Sequence, residues 1–390
     1  MNKRILYIWD ADYPWDVRVE KICKTLQKER FEVHIACRNL KALPTKESIN
    51  TIHIHRLKSH KNKTLNYYIS FPLFCNPLWI THISKIITQS NINCIIVRDL
   101  PLSSTAIMIA KKHKIPVIFD MAEDYPAMNR DIWKVRKFKR FNLILRNPYL
   151  TSLIERIVIK YVDHILVVVE ESKMRLVKKG TKEAEITIVS NTPEIDPHVF
   201  QNAIPKFDKF TFVYTGGLQL GRGIQIVIRA LPLIAQKIPE CEFLIIGDGY
   251  GKPSLMKLAK KLNVDDYIHW MGFIDHDNLF EILARCHVGI IPHFVTDHTN
   301  TTIPNKLFDY MYMSLPVLSS NIIPIQRITS EENCGFVYED RNENDLATKL
   351  YELYRNDTHL QLGENGRLAV MKKYNWNEDS KRILAVINNL

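Results

Sequence analysis

The sequence has no closely spaced cysteine pair, no long apolar run and no secretory leader. Its seven cysteines are scattered through 390 residues without a CxxC pair, which argues against a zinc site or a disulfide framework and favours a reducing compartment. The longest apolar stretch, roughly residues 67–80, contains two prolines and is too short to span a bilayer. The first residues turn acidic before a secretory apolar segment could form. We therefore expect a cytoplasmic protein without a membrane span.

Basic residues outnumber acidic residues in the first half of the chain but not in the second. Residues 1–200 hold 33 Lys and Arg against 20 Asp and Glu, a net charge of +13, whereas residues 201–390 carry a net charge of −2. Nine basic residues lie between positions 126 and 160 with interleaved aromatic residues, and a second basic and aromatic stretch covers residues 56–79. This pattern favours contact with a polyanion: nucleic acid, an anionic membrane or a phosphorylated acceptor. A solvated basic face without a partner is the alternative.

Short β-branched runs alternate with segments of helical period, and this pattern occurs twice. Predicted strands start at Arg4, Val33, Thr51, Cys94, Val117, Ile165 and Ile186 in the first series, and at Phe210, Phe243, Tyr267, Val288, Pro316 and Gly335 in the second. Near-continuous apolar strands separated by helices indicate parallel sheets covered on both faces. Residues 191–210 contain three prolines and are typical of a linker. The sequence thus predicts an α/β protein with two doubly wound, Rossmann-like domains that face each other across a cleft, with ligands at the carboxyl ends of the strands.

The clearest signal for an anion site lies in residues 301–320. Pro304 suits the first turn of a helix, where its missing N–H costs little. The helix start offers backbone amides around residues 303–306 and Lys306 adds a positive charge, a combination that binds phosphate. Asp309 follows one turn later, where a carboxylate can accept two hydrogen bonds from a ribose diol. An ordinary helix before a buried strand is the alternative.

A second phosphate-binding signal follows the first strand of the second series. That strand ends in Gly216 and Gly217, which let the backbone approach a ligand closely, and Arg222 opens the next helix. The guanidinium of an arginine makes bidentate bonds to a diphosphate. The GDGYG segment from Gly247 lacks the spacing of a P-loop, so we interpret it as a loop at the rim of the cleft. The alternative is that these glycines only allow close backbone packing and bind no ligand.

In order and spacing, these segments resemble those of the retaining glycosyltransferases of family 4, which have the GT-B fold, and in particular the type that builds bacterial cell-surface polysaccharides. The likeness includes the GGLQLGRG opening, the IIGDG loop, the WMGFI segment and the PNKLFDYM helix followed by LPVLSS. It implies an acceptor-binding domain over residues 1–200 and a nucleotide-sugar-binding domain over residues 207–372. The last helix, residues 373–390, would return to the N-terminal domain.

The resemblance also implies roles for residues of the second half. Asp309 takes the place of the family's ribose-binding glutamate, and Thr301 replaces its first acidic residue. Gly217 stands where one member of a basic pair is expected, Arg222 keeps the other, and Lys306 supplies the missing charge in our hypothesis. The implied donor-binding residues are Gly216, Gly217, Phe273, Ile274, Thr301, Thr302, Ile303, Asn305 and Asp309, and Arg222 and Lys306 are implied to be catalytic. His293 and His298 flank the donor loop, where they could contact the sugar.

In the first half, the resemblance implies that Asp16 and Arg18 lie on the acceptor side. The segment FDMAEDYPAM is similar to a DxHE-type stretch in which Ala122 replaces the histidine. Glu123 and Asp124 are then the nearest ionisable groups that could position the acceptor hydroxyl, as catalytic residues. A helix N-terminus enriched in acids is the alternative.

We expect no metal and no other cofactor. Asp10 and Asp12 form a DxD string, but this string ends the first strand, and GT-B enzymes manage charge with helix amides and cations. His53 and His55 share one strand face without further ligands nearby, so we interpret them as surface or cleft histidines.

Together these features predict a cytoplasmic glycosyltransferase that is peripherally associated with the inner face of the plasma membrane. It would transfer a hexose from a nucleotide-diphosphate donor, in the first place a UDP-sugar, to a lipid-linked glycan with retention of configuration. Basic residues beside apolar ones suit an anionic bilayer surface and a lipid-pyrophosphate acceptor. Nucleic acid is not expected as a partner, because no recognised module accompanies the charge. The alternatives are a UDP-sugar 2-epimerase of similar fold and a non-catalytic basic binding protein, which the substitutions at Ala122, Gly217 and Thr301 keep open.

Overall fold

The computed structural model describes residues 3–14, 16–72, 74–135, 143, 146–196, 204–355 and 358–390. Its strands are β1 (Arg4–Asp12), β2 (Glu32–Arg38), β3 (Lys46–Ile49), β4 (Ile52–Arg56), β5 (Cys94–Arg98), β6 (Val117–Met121), β7 (His164–Val167), β8 (Ile186–Ile188), β9 (Phe210–Thr215), β10 (Cys241–Ile246), β11 (Ile268–Gly272), β12 (Val288–Ile291), β13 (Val317–Ser320) and β14 (Gly335–Tyr338). Its helices are α1 (Val17–Lys28), α2 (Lys63–Ile69), α3 (Pro77–Ser90), α4 (Ser103–His113), α5 (Tyr125–Val135), α6 (Pro148–Tyr161), α7 (Glu170–Lys178), α8 (Ile224–Lys237), α9 (Lys252–Lys261), α10 (His276–Arg285), α11 (Asn305–Tyr312), α12 (Ile323–Glu331), α13 (Glu343–Arg355), α14 (Thr358–Lys372) and α15 (Trp376–Asn389).

The chain divides into two compact units. The first unit comprises residues 1–190 and 380–390, and the second comprises residues 191–379. Helix α15 therefore begins in the second unit and ends in the first, where Nζ of Lys3 donates a hydrogen bond to the carbonyl oxygen of Ile387 at 2.5 Å. The predicted linker lies between β8 and β9, and its residues 197–203 fall outside the described residues.

The sheet of the first unit has the strand order β3-β4-β2-β1-β5-β6-β7-β8. Only the pair β3–β4 is antiparallel; the other neighbouring strands are parallel. Apolar strand residues such as Ile95, Ile96 and Val97 are fully buried, because helices cover both faces of a parallel sheet. Strand β1 pairs with β2 on one side and with β5 on the other. The strand order therefore reverses between β1 and β5, because β2 to β4 lie on one side of β1 and β5 to β8 lie on the other.

The sheet of the second unit is parallel throughout, with the order β11-β10-β9-β12-β13-β14. Its core forms where α8 buries one apolar face, which includes Ile224, Val227 and Leu231. The rings of Phe212 and Phe243, on neighbouring strands, stack with centroids 5.0 Å apart. In this sheet the strand order reverses between β9 and β12. The predicted class of two doubly wound α/β domains is confirmed.

All thirteen predicted strands are present, and one further strand, β3, was not predicted. Residues Lys46–Ile49 form this antiparallel edge strand, and three of the four are exposed, so the segment has no apolar pattern to mark it. The predicted position of Pro304 in the first turn of a helix is wrong by one residue. Helix α11 begins at Asn305, and Pro304 precedes it with extended backbone.

The basic region of the first unit is only partly described. Arg136, Lys137, Lys139 and Arg140, with the aromatic residues Phe138 and Phe141, lie outside the described residues. Arg130 and Lys134 are in α5, and Arg156 and Lys160 are exposed on α6. Among the helices described, none is both long enough and apolar enough to cross a bilayer.

A buried ion pair between Arg18 and Asp120 joins several elements of the first unit. Nη2 of Arg18 lies 2.6 Å from Oδ1 of Asp120, and the two side chains are 4% and 0% exposed. The hydroxyl of Tyr7 donates to Oδ2 of the same carboxylate at 2.6 Å. Nη1 of Arg18 donates to the carbonyl oxygen of Val189 at 2.9 Å. The pair thus links β1, α1, β6 and the segment that follows β8.

We predict that Asp120→Ala lowers the free energy of unfolding by about 3–5 kcal/mol, because Arg18 would remain buried without its counter-ion. Lys182→Ala is the matched control, since it removes a surface pair with Glu185 whose lysine is 81% exposed. Such a pair contributes less than about 1 kcal/mol. Urea denaturation followed by tryptophan fluorescence measures both changes. Equal losses in the two variants would contradict the prediction.

Candidate functional site

Two groups of polar side chains lie at the carboxyl ends of the sheets, one in each unit. In open parallel sheets, ligands bind beyond the carboxyl ends of the strands where the strand order reverses. That position follows β9 and β12 in the second unit, and β1 and β5 in the first. We therefore expect a ligand site at each of these two edges.

Three loops of the second unit pack so closely that side chains are excluded where they meet. Gly223, with φ +73°, follows Arg222, and a Cβ there would lie 1.6 Å from the carbonyl oxygen of Pro292. Gly247, with φ +134°, would bring a Cβ to 2.0 Å from the carbonyl oxygen of Gly216. A left-handed φ and such close approach both require glycine. The loops after β9, β10 and β12 thus form one continuous backbone surface.

Lys306 brings a buried positive charge to this surface. It lies in the first turn of α11 and is 9% exposed, and its Nζ is 3.6 Å from the centroid of the Tyr214 ring. A Cβ on Gly216 would lie 3.0 Å from Nζ, so the ammonium group contacts the loop after β9. Burial and the charge of Arg222 lower the pKa of Lys306 well below its usual value, although Asp309 opposes this shift. An anion bound here would relieve the cost of the buried charge.

His293 follows β12 and adds an uncharged imidazole to the same place. It is buried, and its Nε2 has no hydrogen-bond partner among the described residues. Burial and the nearby charges of Lys306 and Arg222 lower the pKa of His293 well below its usual value, so the ring is neutral at neutral pH. An unpartnered polar atom that is buried beside two cations is typical of a ligand site.

A tyrosine of α11 contacts the end of β9. The hydroxyl of Tyr310 accepts a hydrogen bond from the amide of Thr215 at 2.9 Å. The hydroxyl of Tyr214 donates to the carbonyl oxygen of Gly217 at 2.9 Å. The first bond joins α11 to β9, and the second fixes the glycine loop that follows β9. The first amides of a helix lack acceptors within the helix and carry a partial positive charge.

The predicted residues before α11 form one continuous segment. Thr301 ends a short 3₁₀ turn, Thr302 has extended backbone, and Ile303 is buried. The carbonyl oxygen of Ile303 accepts a hydrogen bond from Nδ2 of Asn191 at 3.5 Å, and Asn305 is exposed at the start of the helix. The segment therefore leads directly into the amino end that carries Lys306.

Phe273 and Ile274 lie in the loop after β11. Phe273 is 82% exposed, whereas Ile274 is half-buried. The carbonyl oxygen of Gly272 accepts a hydrogen bond from the amide of Gly247 at 2.7 Å, which joins this loop to the glycine-rich surface. A largely exposed aromatic ring beside such a surface can stack on a planar ligand.

In the first unit, Asp16 and Arg18 have structural contacts. Asp16 caps α1, and its carboxylate accepts hydrogen bonds from the amides of Arg18 and Val19 at 3.0 Å. The carboxylate also pairs with the guanidinium of Arg98. The guanidinium of Arg18 is buried on Asp120, and the place of Arg18 on the acceptor side stays a prediction.

Asp124 is likewise engaged in structure. It is 3% exposed, its Oδ1 accepts a hydrogen bond from the amide of Ala127 at 3.0 Å, and its Oδ2 lies 3.2 Å from Nε of Arg175. Arg175 also binds Glu155 at 2.8 Å. The alternative of an acidic helix N-terminus therefore describes Asp124. Glu123, its neighbour, is half-buried and lies near Asp99.

Two acidic residues that sequence reasoning did not select, Asp10 and Asp99, lie with Glu123 at the carboxyl edge of the first sheet. Burial raises the pKa of Asp10 to about 6. Burial, with the charges of Glu123 and Asp10, raises the pKa of Asp99 well above its usual value, and Oδ1 of Asp99 has no hydrogen-bond partner among the described residues. Asp99 also has a φ of +59°, which is strained for aspartate. The signal available in the sequence was the Arg98–Asp99 pair directly after a buried strand.

The expectation that His53 and His55 lack further ligands nearby is wrong. The parallel pairing of β2 and β4 sets His34 beside His53, and Glu32, His34 and His53 each bring a ligand atom within 4.8 Å of the others. This group lies in the amino-terminal half of its strands, away from the carboxyl edge where Asp10 and Asp99 lie. Sequence spacing shows which residues share a strand face but not which strands are paired.

Both halves of the chain match glycosyltransferase family models. Residues 16–195 match the model described as Glycosyltransferase Family 4, and residues 209–356 match the model described as Glycosyl transferases group 1. An uncharacterised glycosyltransferase of Methanocaldococcus jannaschii is 27% identical over 213 residues, which are 49% of this chain and 50% of that protein. The chain spans about half the length of the curated relatives it matches.

Solved structures extend the likeness to the whole fold. Sucrose-phosphate synthase from Thermosynechococcus elongatus superposes with a TM-score of 0.79 at 14% identity, over 100% of this chain and 99% of that one. The Anabaena protein HepE, solved in complex with UDP-glucose, superposes with a TM-score of 0.70 at 13% identity, over 99% and 100%. The expected GT-B fold is confirmed. The chain thus belongs to the glycosyltransferases of GT-B fold, with a family 4 domain followed by a group 1 domain.

Proposed function

We propose that the chain transfers a hexose from a nucleotide-diphosphate donor, in the first place a UDP-sugar, to a lipid-linked glycan acceptor. The transfer would retain the configuration at the sugar and would serve the synthesis of a cell-surface polysaccharide. The single observation that carries the proposal is the buried ammonium group of Lys306 at the amino end of α11, beside the glycine-rich loop after β9. HepE, a structural neighbour, was solved with UDP-glucose, which supports a nucleotide-sugar donor.

The second unit would hold the donor by its diphosphate. Negative charge develops on the departing diphosphate as its bond to the sugar breaks. Lys306, Arg222 and the first amides of α11 would stabilise that charge. These groups are fixed before the ligand arrives, so little energy is spent on reorienting them. The half-buried carboxylate of Asp309, in the same helix, would bind the ribose hydroxyls, and Phe273 would lie against the base.

The first unit would bind the acceptor hydroxyl at the acidic residues on the carboxyl edge of its sheet. Glu123 keeps its proposed catalytic role, whereas Asp124 is excluded by its bonds to Arg175 and the Ala127 amide. We add Asp99 as a second group of the site, because its carboxyl has a raised pKa and an unpartnered oxygen. A protonated carboxyl can donate a hydrogen bond to the acceptor, while an ionised neighbour accepts one.

The outer face of α6 supports peripheral association with an anionic membrane. Tyr149, Leu153, Ile157 and Tyr161 recur every four residues and are all exposed, while the opposite face of the helix is buried. Nζ of Lys111 lies 3.6 Å from the centroid of the Tyr161 ring, and Arg156 and Lys160 flank the stripe. An exposed apolar stripe with cations beside it is typical of helices that lie in a bilayer interface.

The assay that tests the proposal uses labelled UDP- and GDP-sugars with and without membrane lipid extract. We predict transfer to lipid from a UDP-sugar, and a loss of about 10²–10³-fold in turnover for Lys306→Ala and for Arg222→Ala, since each removes a charge from the departing diphosphate. Lys257→Ala, an exposed lysine of α9, is the control and should retain turnover. Release of an altered UDP-sugar without lipid would favour the epimerase, and binding without turnover would favour a non-catalytic protein.

The lowered pKa of Lys306 predicts that UDP binding takes up protons. Free Lys306 loses its proton more readily than an ordinary lysine. A bound diphosphate stabilises the ammonium form, so the pKa rises on binding and the affinity falls as the pH rises between the two pKa values. Calorimetry in buffers of different ionisation enthalpy, at a pH where UDP is fully ionised, measures the uptake. Lys306→Arg keeps the charge without titrating and should take up fewer protons, whereas equal uptake in both proteins would contradict the assignment.

The membrane proposal is tested by sedimentation with vesicles of phosphatidylcholine, with or without phosphatidylglycerol. We expect binding only to the anionic vesicles, and at least about tenfold weaker binding for Lys160→Glu, because each interfacial charge contributes about 1 kcal/mol. Leu153→Glu should weaken binding as well, since it removes apolar contact area. Lys257→Glu makes the same charge change in the second unit and should bind as the unaltered protein does. Equal binding by all these proteins would overturn the assignment of α6.

A further inference from the structure

A group of imidazole and carboxylate side chains lies on β2 and β4, apart from the site proposed for transfer. Glu32 and His34 are on β2, and His53 and His55 are on β4. The parallel register sets His34 opposite His53. Their ring centroids are 4.9 Å apart, and those of His34 and His55 are 5.3 Å apart. One ligand atom from each of Glu32, His34 and His53 lies within 4.8 Å of the other two.

We propose that Glu32, His34 and His53 form a binding site for a divalent transition metal, best suited to Zn²⁺. Two imidazoles with one carboxylate are a donor set that zinc accepts in tetrahedral sites, with water in the fourth position. Tetrahedral ligands at zinc distances lie about 3.3 Å apart, so the ligand atoms, which now lie within 4.8 Å of one another, must rearrange when the ion binds. Glu32 and His53 are half-buried and can rotate, whereas His34 is fixed in the sheet.

Each of the two proposed histidine ligands has one ring nitrogen that contacts a neighbouring residue and one that remains for the metal. Nδ1 of His34 lies 3.0 Å from Nε2 of His55. Nε2 of His34 is therefore the atom that would bind the metal, and it now lies 3.0 Å from Oε1 of Glu32. Nδ1 of His53 lies 3.1 Å from Oγ of Ser48, which leaves its Nε2. Outer hydrogen bonds of this kind orient metal ligands and fix the imidazole tautomer.

The carboxylate is held in the same way. Oε2 of Glu32 accepts a hydrogen bond from Nε of Arg4 at 2.9 Å, which leaves Oε1 for the ion. Arg4 also brings a positive charge near the site, which tends to weaken the binding of a cation. The ion can therefore compete with the Arg4–Glu32 ion pair only when all three ligands bind it.

A bound ion would connect β2 to β4 near the edge of the first sheet. Strand β3 continues that edge by pairing only with β4 among the described strands. Because the site lies away from the carboxyl edge, the proposal does not depend on the transfer reaction proposed above.

The test uses full-length protein without a histidine tag, freed of metal with a chelator and titrated with ZnCl₂ in a calorimeter. We expect saturable binding of one ion and a higher melting temperature with zinc. His53→Ala and Glu32→Gln should each weaken binding by at least about tenfold. Ser48→Ala, which removes only the orienting hydroxyl, should weaken it by about 10–100-fold with little change in the melting temperature of the metal-free protein.

Two control variants separate this site from chance binding. His269→Ala removes a surface histidine that lies 3.4 Å from Glu242, where the group of possible ligands is smaller. Cys75→Ser removes the one exposed cysteine. Both should bind zinc as the unaltered protein does. Absence of saturable binding, or equal affinity in His53→Ala, Glu32→Gln and the unaltered protein, would overturn the proposal.

Discussion

The first unit depends on the ion pair between Arg18 and Asp120. Burial alone would raise the pKa of Asp120, but Arg18 outweighs this effect and lowers it, so the carboxylate remains ionised in the interior. The hydroxyl of Tyr7 and the carbonyl oxygen of Val189 satisfy further polar atoms of the pair. Because a buried ion pair is stable only when its geometry and hydrogen bonds are complete, it fixes the mutual positions of β1, α1 and β6. Asp10 on β1 and Glu123 after β6 owe their proximity to that constraint.

The second unit is held at its site by close backbone packing and by a tyrosine of α11. Gly223 and Gly247 allow backbone to touch backbone, and Tyr310 ties α11 to the end of β9. Lys306 is buried beside this surface with a lowered pKa, so a bound anion would stabilise its charged form. The near-neutral net charge of this half is no obstacle to anion binding, because few cations suffice when helix amides point at the same place.

The sequence predicted those parts of the structure that depend on local patterns. Apolar runs marked all the buried strands, whereas β3 was missed because its residues are mostly exposed. The glycine loop, Arg222 and Lys306 could be placed from the sequence because strand ends and helix starts leave local sequence signals. The ion pair of Arg18 could not, because a charged residue at a helix start gives no sign that a carboxylate distant in the sequence will be buried against it. His34 and His53 became neighbours only through the register of β2 and β4, which the spacing within each strand does not contain.

The charges of the first unit are segregated, and this has a consequence for what it can bind. Its excess of lysine and arginine lies on exposed faces such as that of α6, while the carboxyl edge of its sheet is acidic. A neutral hydroxyl at that edge can both donate to and accept from the carboxyl groups of Asp10, Asp99 and Glu123, which offer a diphosphate no positive charge. In the proposed function, this charge pattern is the electrostatic reason to place the diphosphate of the donor in the second unit and the acceptor hydroxyl in the first.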